Sequence, residues 1–298
     1  MQTKTIKKII SNKLNEWLST IENSVLREEV RKNILVSGGS ITSLFLNQPV
    51  NDYDVYIMDM DVLIRLATYY CPNKVLDGRL KEKYLSKFPE TCDDGTDYIS
   101  EEKVRLLTLK DNQVKLNIPS EGIRFDLEES EDKYRVAFLS QNAISLTDDL
   151  QIVLRFNGNS EQIHKTFDFI HATNYFTFND GLVTNIDALE SILSKTLKYQ
   201  GSFYPLTSII RMKKFLGRGW NIGAGEMLKI MFQISELDLT NIQILEEQLI
   251  GVDVAYFSLL IDALRTVPKE KMTPSYINEL IDRIFNSYDD EINNQQNE

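Results

Sequence analysis

The segment Val36–Val55, VSGGSITSLFLNQPVNDYDV, constrains the fold more than any other stretch of the chain. The apolar run Ile34-Leu35-Val36 predicts a short buried strand that delivers Ser37-Gly38-Gly39-Ser40 to the start of a helix, Ile41–Leu46, stopped before Pro49. A second strand follows over Asp52–Met58. Alternation along it places Asp52 and Asp54 on one face and Tyr53 and Val55 on the other. Two carboxylates so close repel each other unless a cation sits between them, and hard Mg²⁺ (or Mn²⁺) suits one or two carboxylates together with substrate phosphates. Gly38 and Gly39 allow close approach of a ligand to the backbone. The helix N-terminus behind them offers unpaired N–H groups to an anion, and Ser40 adds a hydroxyl. The unit therefore reads as a triphosphate cradle beside a pair of divalent ions. Asp59-Met60-Asp61 has the same spelling as Asp52-Tyr53-Asp54, but stands where a helix is expected to begin.

Composition narrows the alternatives. A chain of 298 residues, 42% hydrophobic and 26% charged, is globular and close to the size at which one core divides into two lobes. The 33 basic and 44 acidic residues give a net charge of −11, which excludes coating nucleic acid through bulk charge. Two cysteines, Cys71 and Cys92, and two histidines, His164 and His171, exclude a disulfide framework and a Cys/His zinc cluster. No apolar run approaches the roughly 18 residues of a membrane span. The N-terminal residues 3–22 carry Ile6, Ile9, Ile10, Leu14, Trp17 and Leu18 at helical spacing, an amphipathic helix rather than a signal sequence. A reducing cytoplasm is the expected compartment.

Further along, helices are predicted over Leu26–Lys32, Asp61–Tyr70 and Leu76–Phe88, and an acidic loop over Thr91–Asp97 with Cys92 as a loop thiol. Val104–Leu109 and Gln113–Ile118 alternate about Lys110-Asp111-Asn112 as a hairpin. An acidic turn, Glu128–Asp132, precedes strands near Tyr134–Leu139 and Ile152–Phe156. A short helix around Ser160–Lys165, with His164 exposed on it, leads to a strand over Phe167–Ala172. Tyr175–Phe178 and Leu182–Thr184 form a hairpin with Asp180-Gly181 as its turn signal. From Ile186 the text becomes apolar-periodic helices ending in the polar tail Asp289–Glu298.

The order of apolar strand, Gly-Gly-Ser, eleven intervening residues and Asp-x-Asp between apolar neighbours resembles the nucleotidyltransferase superfamily typified by DNA polymerase beta, which includes the CCA-adding enzymes and poly(A) polymerases. Leu150–Phe156, Ser160–His164 and Phe167-Asp168-Phe169 are similar to a downstream block of nucleotidyltransferase-like proteins whose second strand bears a third carboxylate. Arg211-Met212-Lys213-Lys214-Phe215 with Arg218-Gly219-Trp220 resembles a helical element that follows their catalytic core. The resemblance covers about 34–54 and 151–220. It implies an α+β catalytic domain with a mixed sheet and flanking helices over 1–185, carrying an insert at about 59–149, and a helical domain over 186–298 that closes over the nucleotide. It also implies Asp52, Asp54 and Asp168 as catalytic metal ligands, with Mg²⁺ or Mn²⁺ as cofactor and an NTP as substrate. By the two-metal scheme one ion activates an acceptor hydroxyl and the other steadies the leaving pyrophosphate.

Between Lys195 and Lys229 lie seven basic side chains and one acid, a local net of +6 within an acidic protein. Arg211, Lys214 and Arg218, at i, i+3 and i+7, share one helical face and join Gly38, Gly39 and Ser40 as expected phosphate-binding residues. Trp220 and Tyr204 are expected to pack, and His171 to be structural. The expected activity is transfer of a nucleoside monophosphate to a hydroxyl acceptor, an RNA end first and a protein or small molecule second. The rival from another class is an inactive module of the same fold, a binding or structural part of a phage particle. A sugar-nucleotide enzyme using Asp-x-Asp lacks a reason for the upstream Gly-Gly-Ser. The many Asn, Ile and Lys residues suit a phage or other AT-rich genome, which would make the compartment a host cytoplasm.

Overall fold

In the computed structural model the described residues are 1–80, 109–119, 122–125, 132–239 and 241–248, together with Thr273, Ser275, Tyr276, Asn278, Glu279 and Asp282. The expected Thr91–Asp97 loop with Cys92 and the tail Asp289–Glu298 lie outside them. So do most of the Val104–Leu109 arm, the 81–88 part of the predicted helix and most of the Glu128–Asp132 turn. The chain divides into two compact units. One comprises Met1–Phe167 and His171–Ser194; the other comprises Asp168–Ile170 and Lys195–Glu298.

The first unit is α+β. It opens with α1 (Thr3–Ser19), which buries Ile6, Ile10, Leu14, Trp17 and Leu18 along one stripe. Each such side chain contributes about 1.5–3 kcal/mol on burial. Trp17 Nε1 donates to the Tyr70 hydroxyl at 2.9 Å, and burial pushes that phenol up to about 12, so it stays neutral. Helix α2 (Ser24–Asn33) is capped by Asn23, whose side chain accepts from the amides of Val25 and Leu26. Strand β1 (Ile34–Ser37), fully buried, is followed by α3 (Gly39–Leu46), β2 (Tyr53–Ile57) and α4 (Met60–Tyr70). Asp59 Oδ1 accepts from the Val62 amide, so the second Asp-x-Asp is a helix cap, as its position predicts.

The predicted helix Leu76–Phe88 is corrected at its start. Val75–Asp77 form β3, paired antiparallel with β4 (Val114–Leu116), and a 3₁₀ turn follows at Gly78–Leu80. The apolar residues there serve a two-stranded ladder rather than a helical stripe, a choice that a short run leaves undetermined. Next come β5 (Ile123–Arg124), β6 (Val136–Ser140), β7 (Ala143–Leu146) and β8 (Leu150–Val153). The short helix α5 (Ser160–His164) carries a capping box between Asn159 and Gln162. The predicted strand Phe167–Ala172 is also corrected. Ile170–Ala172 is a 3₁₀ turn, and Phe169 makes an isolated bridge to Tyr199. Strands β9 (Tyr175–Thr177) and β10 (Gly181–Val183) form the expected hairpin, and α6 (Ile186–Ser194) ends the unit.

Among the described residues, eight strands form one sheet in the order β10-β9-β1-β2-β8-β7-β6-β5. Only β2 and β8 run parallel; every other neighbouring pair is antiparallel, so the sheet is mixed. The Asp-bearing strand β2 is therefore central, between β1 and β8. The second unit contains β11 (Thr196–Leu197), α7 (Pro205–Gly217), β12 (Asn221–Ile222), α8 (Ala224–Ser235) and α9 (Ile242–Gln248), with β11 and β12 in a parallel two-strand ladder. Among the described residues no helix is long and apolar enough to cross a membrane.

Candidate functional site

The sharp turn between β1 and α3 depends on Gly38. Its backbone sits at φ 95°, ψ −151°, a conformation that favours glycine. A Cβ on Gly38 would lie 3.3 Å from Asp54 Oδ2, while one on Gly39 would meet nothing within 4 Å. Gly38 thus lets the turn lie against the Asp54 carboxylate, and Gly39 keeps its outer side open. Ser40 is buried, and its Oγ has no hydrogen-bond partner among the described residues. A buried hydroxyl left in this condition costs about 1–3 kcal/mol. With the α3 N-terminus, the turn offers backbone N–H groups and a hydroxyl to an incoming anion.

Residues 171–174 support the turn from within the same unit. The Gly38 amide donates to the Ala172 carbonyl at 3.0 Å, and Thr42 Oγ1 donates to the His171 carbonyl at 3.0 Å. Ser37 Oγ contacts the Ala172 and Asn174 carbonyls and also His164 Nε2. His164 is therefore half-buried in an aromatic setting beside Phe167 and Tyr175, not exposed as its helix position suggested. Desolvation pushes its imidazole down to about 4. His171 is buried, in keeping with a structural part.

Asp52 stands immediately before β2, and Asp54 is the second residue of the strand. Register pairs Tyr53 with Leu150 and Asp54 with Gln151 on β8, and the Tyr53 amide donates to the Asp149 carbonyl at 2.8 Å. Asp149 consequently stands beside Asp52. Although Asp52 keeps an exposed edge, the protein around its carboxyl desolvates it and raises its pKa, and the Asp149 negative charge raises it further. Asp149 is a carboxylate beside Asp52 that sequence reasoning missed. Its Thr147-Asp148-Asp149 context reads as a polar turn, and only the parallel pairing of strands far apart in sequence brings it to Asp52.

In the second unit Asp168 is buried, and its Oδ2 accepts from Arg211 Nη1 at 2.9 Å. Its backbone carbonyl accepts from the Gln200 amide, and the Ile170 amide donates to the Lys198 carbonyl, which ties this short segment to the chain around Tyr199. Arg211 lies on α7 and is 42% exposed, so one guanidinium both neutralises Asp168 and reaches solvent. Lys214 is exposed in the last turn of α7, and Arg218, at the C-cap, places its guanidinium 5.9 Å from the Phe215 ring centroid. Trp220 is buried edge-on to Phe215, so it packs, as expected.

The Gly38 turn and Asp54 are thus brought together within the first unit, with Gly39 and Ser40 in the same turn and Asp52 beside Asp149 at the start of the same strand, and Asp168 and Arg211 are paired within the second. Among the described residues no group of three His, Cys, Asp or Glu side chains is gathered for a metal ion. The donor set still fits Mg²⁺. Carboxylates at the start of the central strand β2, an open backbone turn and an unsatisfied buried hydroxyl leave a phosphate–metal complex groups to satisfy.

Solved structures similar to this chain include the Thermotoga maritima CCA-adding enzyme complexed with tRNA, at 14% identity over 90% of this chain and 59% of that one, with a TM-score of 0.38. A tRNA-processing enzyme with CTP matches at 15% identity, covering 78% and 53%, with a TM-score of 0.35. A tRNA nucleotidyltransferase complexed with a primer tRNA and an incoming ATP analog matches at 12%, covering 78% and 57%, with a TM-score of 0.36. Among proteins of known name, "Gabija anti-defense 2" of Bacillus phage SPbetaL7 is 21% identical over 296 residues, and the chain spans 59% of its length. The family described as "Gabija anti-defense 2 family protein" matches residues 8–195. By that match, which takes in the whole glycine turn and both aspartates of the central strand, the chain belongs to the Gabija anti-defense 2 family.

Proposed function

We propose that this protein transfers a nucleoside monophosphate from an NTP to a hydroxyl-bearing acceptor, and that its part in countering a host defence runs through that transfer. The observation that carries the reading is the fit of Gly38 against Asp54: a glycine-only turn, at a helix N-terminus, abuts a carboxylate of the Asp-x-Asp pair. In this reading the N–H groups of the turn and Ser40 Oγ hold the triphosphate, while Arg211, Lys214 and Arg218 form a basic face of the second unit that suits phosphate groups in its own right. Asp52 and Asp54 would hold Mg²⁺, which when bound lowers the pKa of the attacking hydroxyl and neutralises charge on the phosphates. Asp149 enters beside Asp52 as a further carboxylate. Asp168, the third expected ligand, is engaged by Arg211 in an ion pair within the second unit. An RNA end is the first-choice acceptor and a protein hydroxyl the second.

The test is incubation of the full chain with each labelled NTP, Mg²⁺ or Mn²⁺, and either total RNA or total protein. Label should appear in one of the two pools and vanish in Asp52→Asn and Asp54→Asn variants that fold normally. Equal labelling by those variants would sink the reading. A second reading, a nucleotide-binding module without catalysis, is favoured by the Asp168–Arg211 ion pair, which occupies the third expected carboxylate. It predicts metal-dependent NTP binding by calorimetry with no label transferred to either pool.

A further inference from the structure

The second unit contains an open surface depression of about 440 Å³ lined by Tyr199, Gln200, Gly201, Lys229, Phe232 and Gln233. Its volume is enough for one flat ring with a side group, laid against the surface and left partly in solvent. Its polar groups are already sorted by their internal bonds. Gln233 Oε1 accepts from the Tyr199 hydroxyl and from the Ser202 amide, which fixes the carboxamide and leaves Nε2 as the donor. Burial pushes the Tyr199 phenol up to about 12, so it remains a donor to Gln233. Glu226 is consumed as well: Oε2 accepts from the Tyr199 amide at 2.8 Å and Oε1 from Lys229 Nζ at 2.9 Å.

Two donors on one helix face the lining: the Gln233 Nε2 hydrogens and the remaining hydrogens of the Lys229 ammonium, which is 59% exposed, beside the exposed amide side chain of Gln200. Gly201 stands at the mouth at φ 100°, where a Cβ would come 4.0 Å from Gln233 Nε2, so the absent side chain keeps that donor reachable. Phe232, 67% exposed, adds an uncovered ring on the same helix. An aromatic face, a directed amide donor and an ammonium together select a flat ring rich in acceptors that carries a negative group.

We infer that this depression binds a nucleoside monophosphate unit, its base stacked on Phe232, a base acceptor on Gln233 Nε2 and its phosphate on Lys229. The unit is either a free nucleotide or the end of a single strand. The site stands on the second unit alone and does not depend on the proposed transfer at Asp52 and Asp54.

The experiment is calorimetry on the full chain in EDTA with AMP, UMP, adenosine, uridine and a five-nucleotide RNA. Metal-free binding of AMP or UMP is expected, with adenosine and uridine weaker by about tenfold, the worth of one charge-assisted contact. Lys229→Met should weaken AMP by a similar factor and leave adenosine unchanged. Phe232→Ala and Gln233→Glu should weaken both, because the first removes the stacking face and the second the donor. Phe232 and Lys229 are exposed, so their variants should melt like the wild type. Tighter RNA than AMP binding assigns the site to a strand end, and the reverse to a free nucleotide. Absence of binding by any probe at millimolar concentration, or binding indifferent to all three variants, overturns the inference. The Asp52→Asn/Asp54→Asn double variant separates it from the proposed transfer. If that variant loses AMP binding in EDTA, the nucleotide sits at the glycine turn and this inference fails. If it keeps AMP binding while the wild type transfers no label, the transfer reading fails and this one stands.

Discussion

Ser37 Oγ lies 3.0 Å from His164 Nε2, joining the end of β1 to α5 across 127 positions of sequence. The same oxygen is 3.1 Å from the Ala172 carbonyl and 2.9 Å from the Asn174 carbonyl. A hydroxyl has one proton, and carbonyls only accept, so that proton goes to the carbonyls and His164 must donate from Nε2. The geometry puts a proton on Nε2, and desolvation, which lowers the pKa to about 4, keeps the ring neutral at pH 7.

That assignment has a pH signature. The folded pKa of about 4 lies below the unfolded value of about 6.5, so the unfolded chain binds the proton more readily. The stabilisation is full above pH 6.5 and is lost as pH falls toward 4, roughly 2 kcal/mol of it by pH 5. Urea midpoints at pH 7 and pH 5 should differ by less in His164→Gln than in wild type, because glutamine donates to Ser37 without titrating. An identical pH response in the two proteins would contradict the assignment.

Gly38→Ala should separate shape from stability. The residue must hold φ 95° with its new methyl 3.3 Å from Asp54 Oδ2. The strain costs about 1–3 kcal/mol and pushes the carboxylate aside. A lowered thermal midpoint together with lost metal-dependent NTP binding is expected. Gly39→Ala meets open space and should melt within a degree or two of wild type, about the effect of a few tenths of a kcal/mol.

The Asp168–Arg211 pair is asymmetric in burial. Asp168 is buried, whereas Arg211 is 42% exposed and can turn to water. Arg211→Met strands a buried carboxylate and should cost about 2–3 kcal/mol; Asp168→Asn, which keeps an acceptor for Arg211, should cost about half as much. Denaturant melts of the two single variants and the double variant would measure the coupling. Equal costs would mean that the carboxylate is better hydrated than its burial indicates.

Asp148 and Asp149 both occupy left-handed backbone, at φ 59° and φ 53°. Asp149→Gly should stabilise the fold by up to about 1 kcal/mol, relieving the backbone and the repulsion on Asp52 together. Asp148→Gly should gain less, since Asp148 Oδ2 accepts from the Tyr134 amide at 3.2 Å. Thermal midpoints in that order are the check.

The centre of the first unit was legible because its signals are local. A buried apolar triplet, two glycines, a helix stop and an alternating strand all fall within Ile34–Met58, and each appears where its residues predict. The neighbourhood of Asp52 was not legible, because Asp149 arrives through strand pairing that no local pattern encodes. Val75–Asp77 and Phe167–Ala172 failed for a related reason. Short apolar runs take the geometry of whatever backbone pairs with them, here Val114–Leu116 and the chain around Tyr199. His164 shows the same limit in a side chain. Its spacing on α5 suggested water, but its partner is a serine on β1.

The parallel pairing of β2 with β8 also bears on how the protein is made. A ribosome that has released only the first hundred residues has exposed β2 with one flank open, and the strand that closes it is still untranslated. That uncovered flank, Tyr53–Ile57, is almost wholly apolar, a template for joining other nascent chains. Efficient production therefore depends on steady translation through β8, and a ribosome stalled before Leu150 should yield aggregates rather than a smaller folded domain.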